Sequence, residues 1–448
     1  MKLSIIVFLV SFASLVHGQN HKFKLLSHID GAFSGIDDWG YGVTYDQEKS
    51  IYTVGDFAGT ADFDSGPGVF NMTAGSSEDL FIQKIDSLGN FEWARQFGST
   101  LFVDSGRDVC ITSDSCVLII GICNNISDID PGPSVVSGSQ AEGKIVLIKL
   151  ASDGSVLWVK NFGGASSDTG LKVTTDQSGN IYMAGIAYSD SIDFNPGTPN
   201  VYMSKEGTFD GWVAKFNSNG DYVWSRMIGG PGSDYVRGLY VSDYVYVSGQ
   251  FESNVDFDPL GGGNVISSNG SSDAFIQKMD TLGNVVWTKT FGGIDFDVAY
   301  DICETVSHDV IAVGTFKGLV DFNPGILDSL VGSTFSDPYV LKLDSLGQFK
   351  WVNTVYSSSS SEKFYAVCTD TSGNIFVTGG YKGTCAFDTP IGYNLIQPTG
   401  AYENVVYAKL DSLGKYGWAK SIAGSTTSPD LGMDIEINLN GELYLTGT

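Results

Sequence analysis

Gly211-Trp212-Val213-Ala214-Lys215-Phe216-Asn217-Ser218-Asn219-Gly220-Asp221-Tyr222-Val223-Trp224-Ser225-Arg226-Met227-Ile228 decides how this chain folds. Two strand-like runs flank the turn cluster Asn217 to Gly220, which is the pattern of a β-hairpin. Upstream, Leu171 to Thr175 alternates, breaks at Asp176-Gln177-Ser178-Gly179-Asn180, and resumes at Ile181-Tyr182-Met183-Ala184-Gly185. Two hairpins in series give four antiparallel strands, and Gly229-Gly230 ends the unit.

The unit recurs. Trp224 has counterparts at Trp93, Trp158, Trp287, Trp351 and Trp418, spaced 63 to 67 residues apart. Nine residues ahead of each stands a lysine: Lys84, Lys149, Lys215, Lys278, Lys342 and Lys409. Four strands iterated at that period, with no helical periodicity, describe a β-propeller blade. Each sheet has two apolar faces that only its neighbours cover, so a closed ring is favoured over an open array. The tryptophan falls on the outermost strand, where its ring, with roughly 150–250 Å² to bury, seals the seam between blades. The lysine is expected to lay its stem along the same seam.

The second-strand signature occurs seven times, from Tyr52-Thr53-Val54-Gly55 to Tyr444-Leu445-Thr446-Gly447, whereas the third and fourth strands are complete six times. Phe23 to Ile29 aligns with Phe91 to Phe97, with Leu25 in the tryptophan's place. The expectation is an all-β, seven-bladed β-propeller of four-stranded antiparallel blades over residues 19–448. Six repeats are complete, and both termini build a partial seventh blade that lacks its third strand. The chain is accordingly expected to be a fragment cut within the ring.

Residues 1–18 read as a signal peptide: Lys2, the apolar run Leu3 to Val16, and a small-residue site at Val16-His17-Gly18. The run is too short for a transmembrane span, and no cysteine follows the cleavage site to take a lipid anchor. The protein is expected to be secreted or held at the cell surface, monomeric and not inserted in the membrane. With 25 Lys and Arg against 51 Asp and Glu, the net charge is −26. That field repels phosphate backbones and excludes nucleic acid as a partner. Cys110, Cys303 and Cys368 share one repeat position with Thr44 and Thr174, which marks a packing position rather than a disulfide framework.

Asp256-Phe257-Asp258-Pro259, Asp273 to Asp280, and Gly283-Asn284-Val285-Val286-Trp287-Thr288-Lys289-Thr290-Phe291-Gly292-Gly293 resemble the SBBP-type β-propeller repeats. The resemblance spans nearly the whole of residues 19–448. It implies a large exported protein of Bacteroidota, of a kind that often ends in a type IX secretion sorting domain. It implies no activity.

Two motifs carry candidate chemistry. The first follows the second strand: Asp62-Phe63-Asp64, Asp128-Ile129-Asp130, Asp193-Phe194-Asn195, Asp256-Phe257-Asp258 and Asp321-Phe322-Asn323, degrading to Ala386-Phe387-Asp388. Alternating carboxylates around an aromatic would suit Ca²⁺ at one site per blade. The competing reading is an Asx-turn with the aromatic plugging the core, and it is preferred because no loop matches a known calcium pattern. The second motif, Asp86-Ser87-Leu88, Asp280-Thr281-Leu282, Asp344-Ser345-Leu346 and Asp411-Ser412-Leu413, resembles the short O-glycosylation sequon of Bacteroidota, though a tight turn uses the same residues. Asn71, Asn125 and Asn269 head N-x-S/T triplets.

Only His21, His28 and His308 lie outside the signal peptide, too little for a histidine metal site or a Ser-His-Asp triad. No catalytic, cofactor-binding or metal residue is assigned. Motifs repeated blade after blade suit a binding or scaffold surface better than a single active site. The expected function is an extracellular interaction or adhesion module without catalysis, binding a protein or a glycan. The rival is a carboxylate-based, glycosidase-like hydrolase, with or without Ca²⁺. Loops after the second strand and connections from fourth to first strands are expected to share one face and to carry the ligand.

Overall fold

The structure is a computed structural model. It describes residues 4–11, 22–31, 38–98, 103–123, 144–196, 199–323, 329–358, 362–389, 392–422 and 428–448. These form strands, turns and bends without a helix. The expected loop Asp128 to Gly132, with Asn125 and His21, falls outside them.

The chain forms two compact units, Met1–Ser204 with Ala214–Val223 and Glu436–Thr448, and Lys205–Val213 with Trp224–Ile435. In the first, Trp39–Tyr45, Ile51–Asp62, Asn71–Ile85 and Phe91–Phe97 pair in sequence order, as do Ser105–Ile111, Val117–Cys123, Lys144–Leu150 and Val156–Phe162. Thr169–Thr175 and Ile181–Ala187 form a further hairpin. In the second, three sheets follow the same order. They are Tyr235–Val241, Val245–Phe251, Asp273–Met279 and Val285–Phe291; then Val298–Glu304, Val310–Asp321, Leu330–Leu343 and Phe349–Thr354; then Lys363–Thr369, Ile375–Tyr381, Asn404–Leu410 and Tyr416–Ile422. The four-stranded antiparallel blade read from the sequence is therefore the building unit. The hairpin that opened the sequence reading is present as strands Asp210–Phe216 and Tyr222–Ile228.

The core lies between successive sheets. Ile276, Phe291 and Tyr246 of one sheet pack with Ile302, Ala312 and Leu341 of the next. The recurring tryptophan works as expected, and the structure shows why its partner is glycine. Trp93 Nε1 donates to the Ser152 carbonyl (3.1 Å), Trp224 to Thr281 (3.1 Å) and Trp287 to Ser345 (3.2 Å), each in the outer turn of the following sheet. A Cβ at Gly154, Gly283 or Gly347, in that same turn, would press on the indole within about 3 Å. Five of the six recurring lysines are buried and Lys409 is half-buried, and most bind the inner hairpin turn of their own sheet: Lys342 to Asp309 at 2.9 Å and Lys149 to Asp114 at 3.1 Å. Lys278 and Lys342 also reach the outer turn of the next sheet, donating to Ser345 and Ser412 carbonyls. They bridge the seam with their charged ends as well as their stems.

Beside Leu443–Gly447 lies Ser4–Ser11, whose Phe8, Leu9 and Val10 pair with Leu445, Tyr444 and Leu443. Ser4–Ser11 also pairs with Lys22–Gly31, the strand anticipated at Phe23 to Ile29.

Candidate functional site

The acidic motif resolves into turns. One oxygen of Asp62 accepts the N–H groups of Asp64 (3.0 Å) and Phe70 (2.8 Å); Asp193 does the same for Asn195 and Val201 (both 3.0 Å), and Asp256 for Asp258 (3.0 Å) and Asn264 (2.7 Å). The aromatics between them are buried. Phe63 meets Phe57 edge-on at 5.1 Å, Phe257 meets Phe251 at 5.2 Å, and Phe322 meets Phe316 at 5.3 Å. The motif is thus an Asx-turn around a plug. Among the described residues no group of three or more His, Cys, Asp or Glu side chains is arranged to hold a metal ion.

The Asp-Ser/Thr-Leu segments are turns of the same kind: Asp280 accepts N–H groups from Leu282 and Asn284, and Asp344 from Leu346 and Gln348. Ser87 and Ser412 are exposed there, whereas Thr281 and Ser345 are half-buried against the tryptophans. All six cysteines are free thiols. Cys303 and Cys368 are buried, while Cys110 is half-buried. Asn269, heading one triplet, donates to Asp273, and His308 sits exposed beside Glu304.

Connections from fourth to first strand do meet the loops that follow second strands. Gly163 bridges to Asp193, and a Cβ at Gly230 or Gly293 would strike the carbonyl of Asn254 or Leu319. Beside that junction in the first unit lies a cleft of about 710 Å³ lined by Lys144, Lys160, Asp193, Asn195 and Tyr202. Both lysines are already bonded, Lys144 to the Gly164 carbonyl and Lys160 to that of Gly220.

A carboxylate buried just before each first strand locks this end of the sheet. Asp234 accepts N–H groups from Gly230 (2.8 Å) and Glu252 (2.9 Å), and Asp297 from Gly293 (2.7 Å) and Lys317 (3.0 Å). Burial pushes both carboxyls up to about 7. These residues recur in sheet after sheet and are consumed by the backbone.

Sequence reasoning missed the position three residues after that carboxylate. It holds Tyr41, Arg107, Leu171, Arg237, Tyr300 and Tyr365, and in every case the pairing of first and second strands skips this residue. The skipped residue makes a β-bulge, a device that re-aims a side chain. The bulge also explains the glycine of the second-strand signature. At Gly55, Gly121, Gly249, Gly314 and Gly379, a Cβ would fall on a carbonyl oxygen of the first strand. The sequence signal was available: this is a variable position inside a repeated frame.

Two clusters grow from the bulges. In the first unit the Arg107 guanidinium lies 4.1 Å from the centroid of the Tyr41 ring, which stacks on Trp39 at 5.6 Å. Behind them Asp56 is buried and accepts a hydrogen bond from the Ser105 hydroxyl. Its second oxygen and Arg107 Nε have no partner among the described residues. Burial, opposed by Arg107, pushes Asp56 up to about 7, and burial pushes Tyr41 up to about 12. In the second unit Arg237 lies 4.8 Å from the Tyr235 centroid and 5.4 Å from that of Tyr300. Tyr300 meets Tyr365 at 5.1 Å, and Lys363 stands 5.9 Å over Tyr365. In both clusters aromatic faces stand beside cations.

No family model matches the chain. It is 24% identical over 462 residues to an uncharacterized WD repeat-containing protein of Acanthamoeba polyphaga mimivirus, covering 87% of this chain and 32% of that protein. It is 23% identical over 345 residues to the regulatory protein FlaEY of Caulobacter vibrioides, covering 74% and 32%. The chain thus spans about a third of the length of these curated relatives. Among solved structures, dihydro-heme d1 dehydrogenase NirN in complex with DHE is similar at 11% identity and a TM-score of 0.33, over 87% of this chain and 76% of that one. A protein of unknown function from Bacteroides caccae is similar at 12% identity and a TM-score of 0.25, over 66% and 98%.

Proposed function

We propose that this chain is an interaction or adhesion module, exported and held outside the cell, that binds a protein or glycan without transforming it. Its fold on this reading is a seven-bladed ring of SBBP-type repeats, as in exported proteins of Bacteroidota, and residues 1–18, with the strand Ser4–Ser11, are removed on export. One observation carries the functional reading. The repeated carboxylates are spent on backbone N–H groups, and the position that varies from sheet to sheet presents arginine and tyrosine on a bulge. Construction repeats; recognition does not.

Asp56 gives the hydrolase reading its best foothold, since a carboxyl held near pH 7 with one oxygen not spent on the backbone is suited to general acid work. Glycoside hydrolysis needs two carboxylates reaching the scissile bond, and although Glu78 and Asp38 lie close enough to raise Asp56, Asp56 itself is only 3% exposed. The deciding experiment incubates the purified protein with glycan and peptide panels, following retention and product release in parallel. Retention without new reducing ends or amines is expected. Turnover that disappears in Asp56→Asn would replace this reading with the hydrolase.

A further inference from the structure

Resting on that reading of a binding module, we propose that Arg237, Tyr300, Lys363 and Tyr365 form a site for a carboxylate-bearing saccharide, a uronic acid unit within a glycan. All four stand on the first strands of three successive sheets of the second unit, Tyr235–Val241, Val298–Glu304 and Lys363–Thr369. Three of them occupy the bulge position.

The two arginines of this unit show the difference between a structural and an available guanidinium. Arg226 spends Nε, Nη1 and Nη2 on the carbonyls of Gly283, Ser225 and Leu282. Among the described residues Arg237 spends only Nε, on Gln250 Oε1 at 3.2 Å. That bond fixes the plane of the fork and leaves both terminal nitrogens for an incoming carboxylate, whose geometry they match. Neither Arg237 nor Lys363 has a carboxylate at ion-pair distance among the described residues, although the unit pairs Lys317, Lys342 and Lys350 with aspartates. Two cations without an ion-pair carboxylate among the described residues, Arg237 held by Gln250 and Lys363 by the Tyr365 hydroxyl, call for an anion in a chain of net charge −26.

The aromatic partners narrow the class. Tyr235, Tyr300 and Tyr365 are half-buried, so each offers part of a flat apolar face together with a hydroxyl. That combination suits the C–H face and hydroxyls of a pyranose ring. The chain's own negative field disfavours a dense polyanion and fits a ligand whose carboxylates are one sugar apart.

The test is calorimetric titration of the intact protein with trimers of galacturonic and mannuronic acid, their methyl esters, and hexaglutamate. A uronate trimer is expected to bind and its ester to fail, with binding weakening as salt is raised. Arg237→Gln and Tyr300→Ala should each weaken binding about tenfold or more, with Arg237→Lys between Arg237→Gln and the parent. Unchanged thermal melting of these variants separates lost contacts from lost fold. An ester that binds as well as the acid, an Arg237→Gln variant of full affinity, or no uronate binding would overturn the site. Hexaglutamate binding equally well would make the ligand an acidic peptide and overturn the saccharide. Retention of some other panel ligand, indifferent to Arg237→Gln, would sink this proposal while leaving the binding module standing; turnover of a panel substrate would sink the module itself.

Discussion

At the scale of residues, the chain separates positions that build from positions that present. The inner hairpin turn places its fourth residue in the left-handed region, where Gly179, Gly373 and Gly441 sit at φ near 77–79°. His308 occupies the same place at φ 60°, a conformation costing roughly 1–2 kcal/mol for a residue with a Cβ. Its pairing with Glu304 is solvent-exposed and returns little. His308→Gly is therefore expected to stabilise the protein by about 0.5–1 kcal/mol after the entropy of glycine is set against the relief. A raised melting temperature would bear this out, and a lowered one would show that the Glu304 contact outweighs the strain. Much at this scale was legible beforehand. Trp224 and Lys278 were read as construction because they recur, and Phe257 as a plug because turn residues flank it. Arg237 was not, because reading for repetition passes over the residue that breaks it.

At the scale of elements, the first two strands and their bulge form the device on which the proposed recognition rests. Gly249 faces the Tyr235 carbonyl and the Phe275 ring, with no room for a methyl group. Gly249→Ala must open the bulge or distort the strand, and should destabilise by about 1–3 kcal/mol. Equilibrium unfolding in urea measures this directly; a neutral effect would mean that the close approach is easily relaxed. Since Arg237 is the skipped residue of the same bulge, any folded fraction of Gly249→Ala should also bind ligand less well. Strand order and the hairpin turns were readable from period and turn chemistry. The bulge was not, because a one-residue irregularity leaves the alternation of so short a strand almost unchanged, and the glycine that betrays it also marks ordinary turns.

At the scale of the whole molecule, buried carboxylates give stability an unusual dependence on pH. Burial holds Asp56, Asp234 and Asp297 up at about 7 and Asp273 at about 6, against an ordinary value of 3.8. Between pH 4 and 7 the folded state therefore binds more protons than the unfolded chain, and stability falls as pH rises through that window. Turn aspartates such as Asp86, Asp280 and Asp309 are shifted the other way, so their contribution is lost only below about pH 4. A melting temperature highest near pH 4–5 and declining to pH 8 is the expected profile. A maximum at pH 7 or above would mean that these carboxyls ionise without cost in the folded state. Sequence composition revealed the excess of acid but not its burial, since Asp234 and Asp256 look alike until their backbone partners are known.

The central claim is that the bulge positions recognise and the repeated acidic turns only build. One binding experiment on an immobilised glycan and protein array sets the two against each other. The intact protein is compared with Tyr41→Ala, Arg107→Ala and Arg237→Ala on one side, and with Asp62→Asn, Asp193→Asn and Asp256→Asn on the other, with and without a calcium chelator. The account predicts that the array signal falls in one or more of the bulge variants and persists in all the turn variants and in chelator. Signal that survives every bulge substitution, yet vanishes with the turn aspartates or on chelation, would contradict it and return the function to the acidic loops.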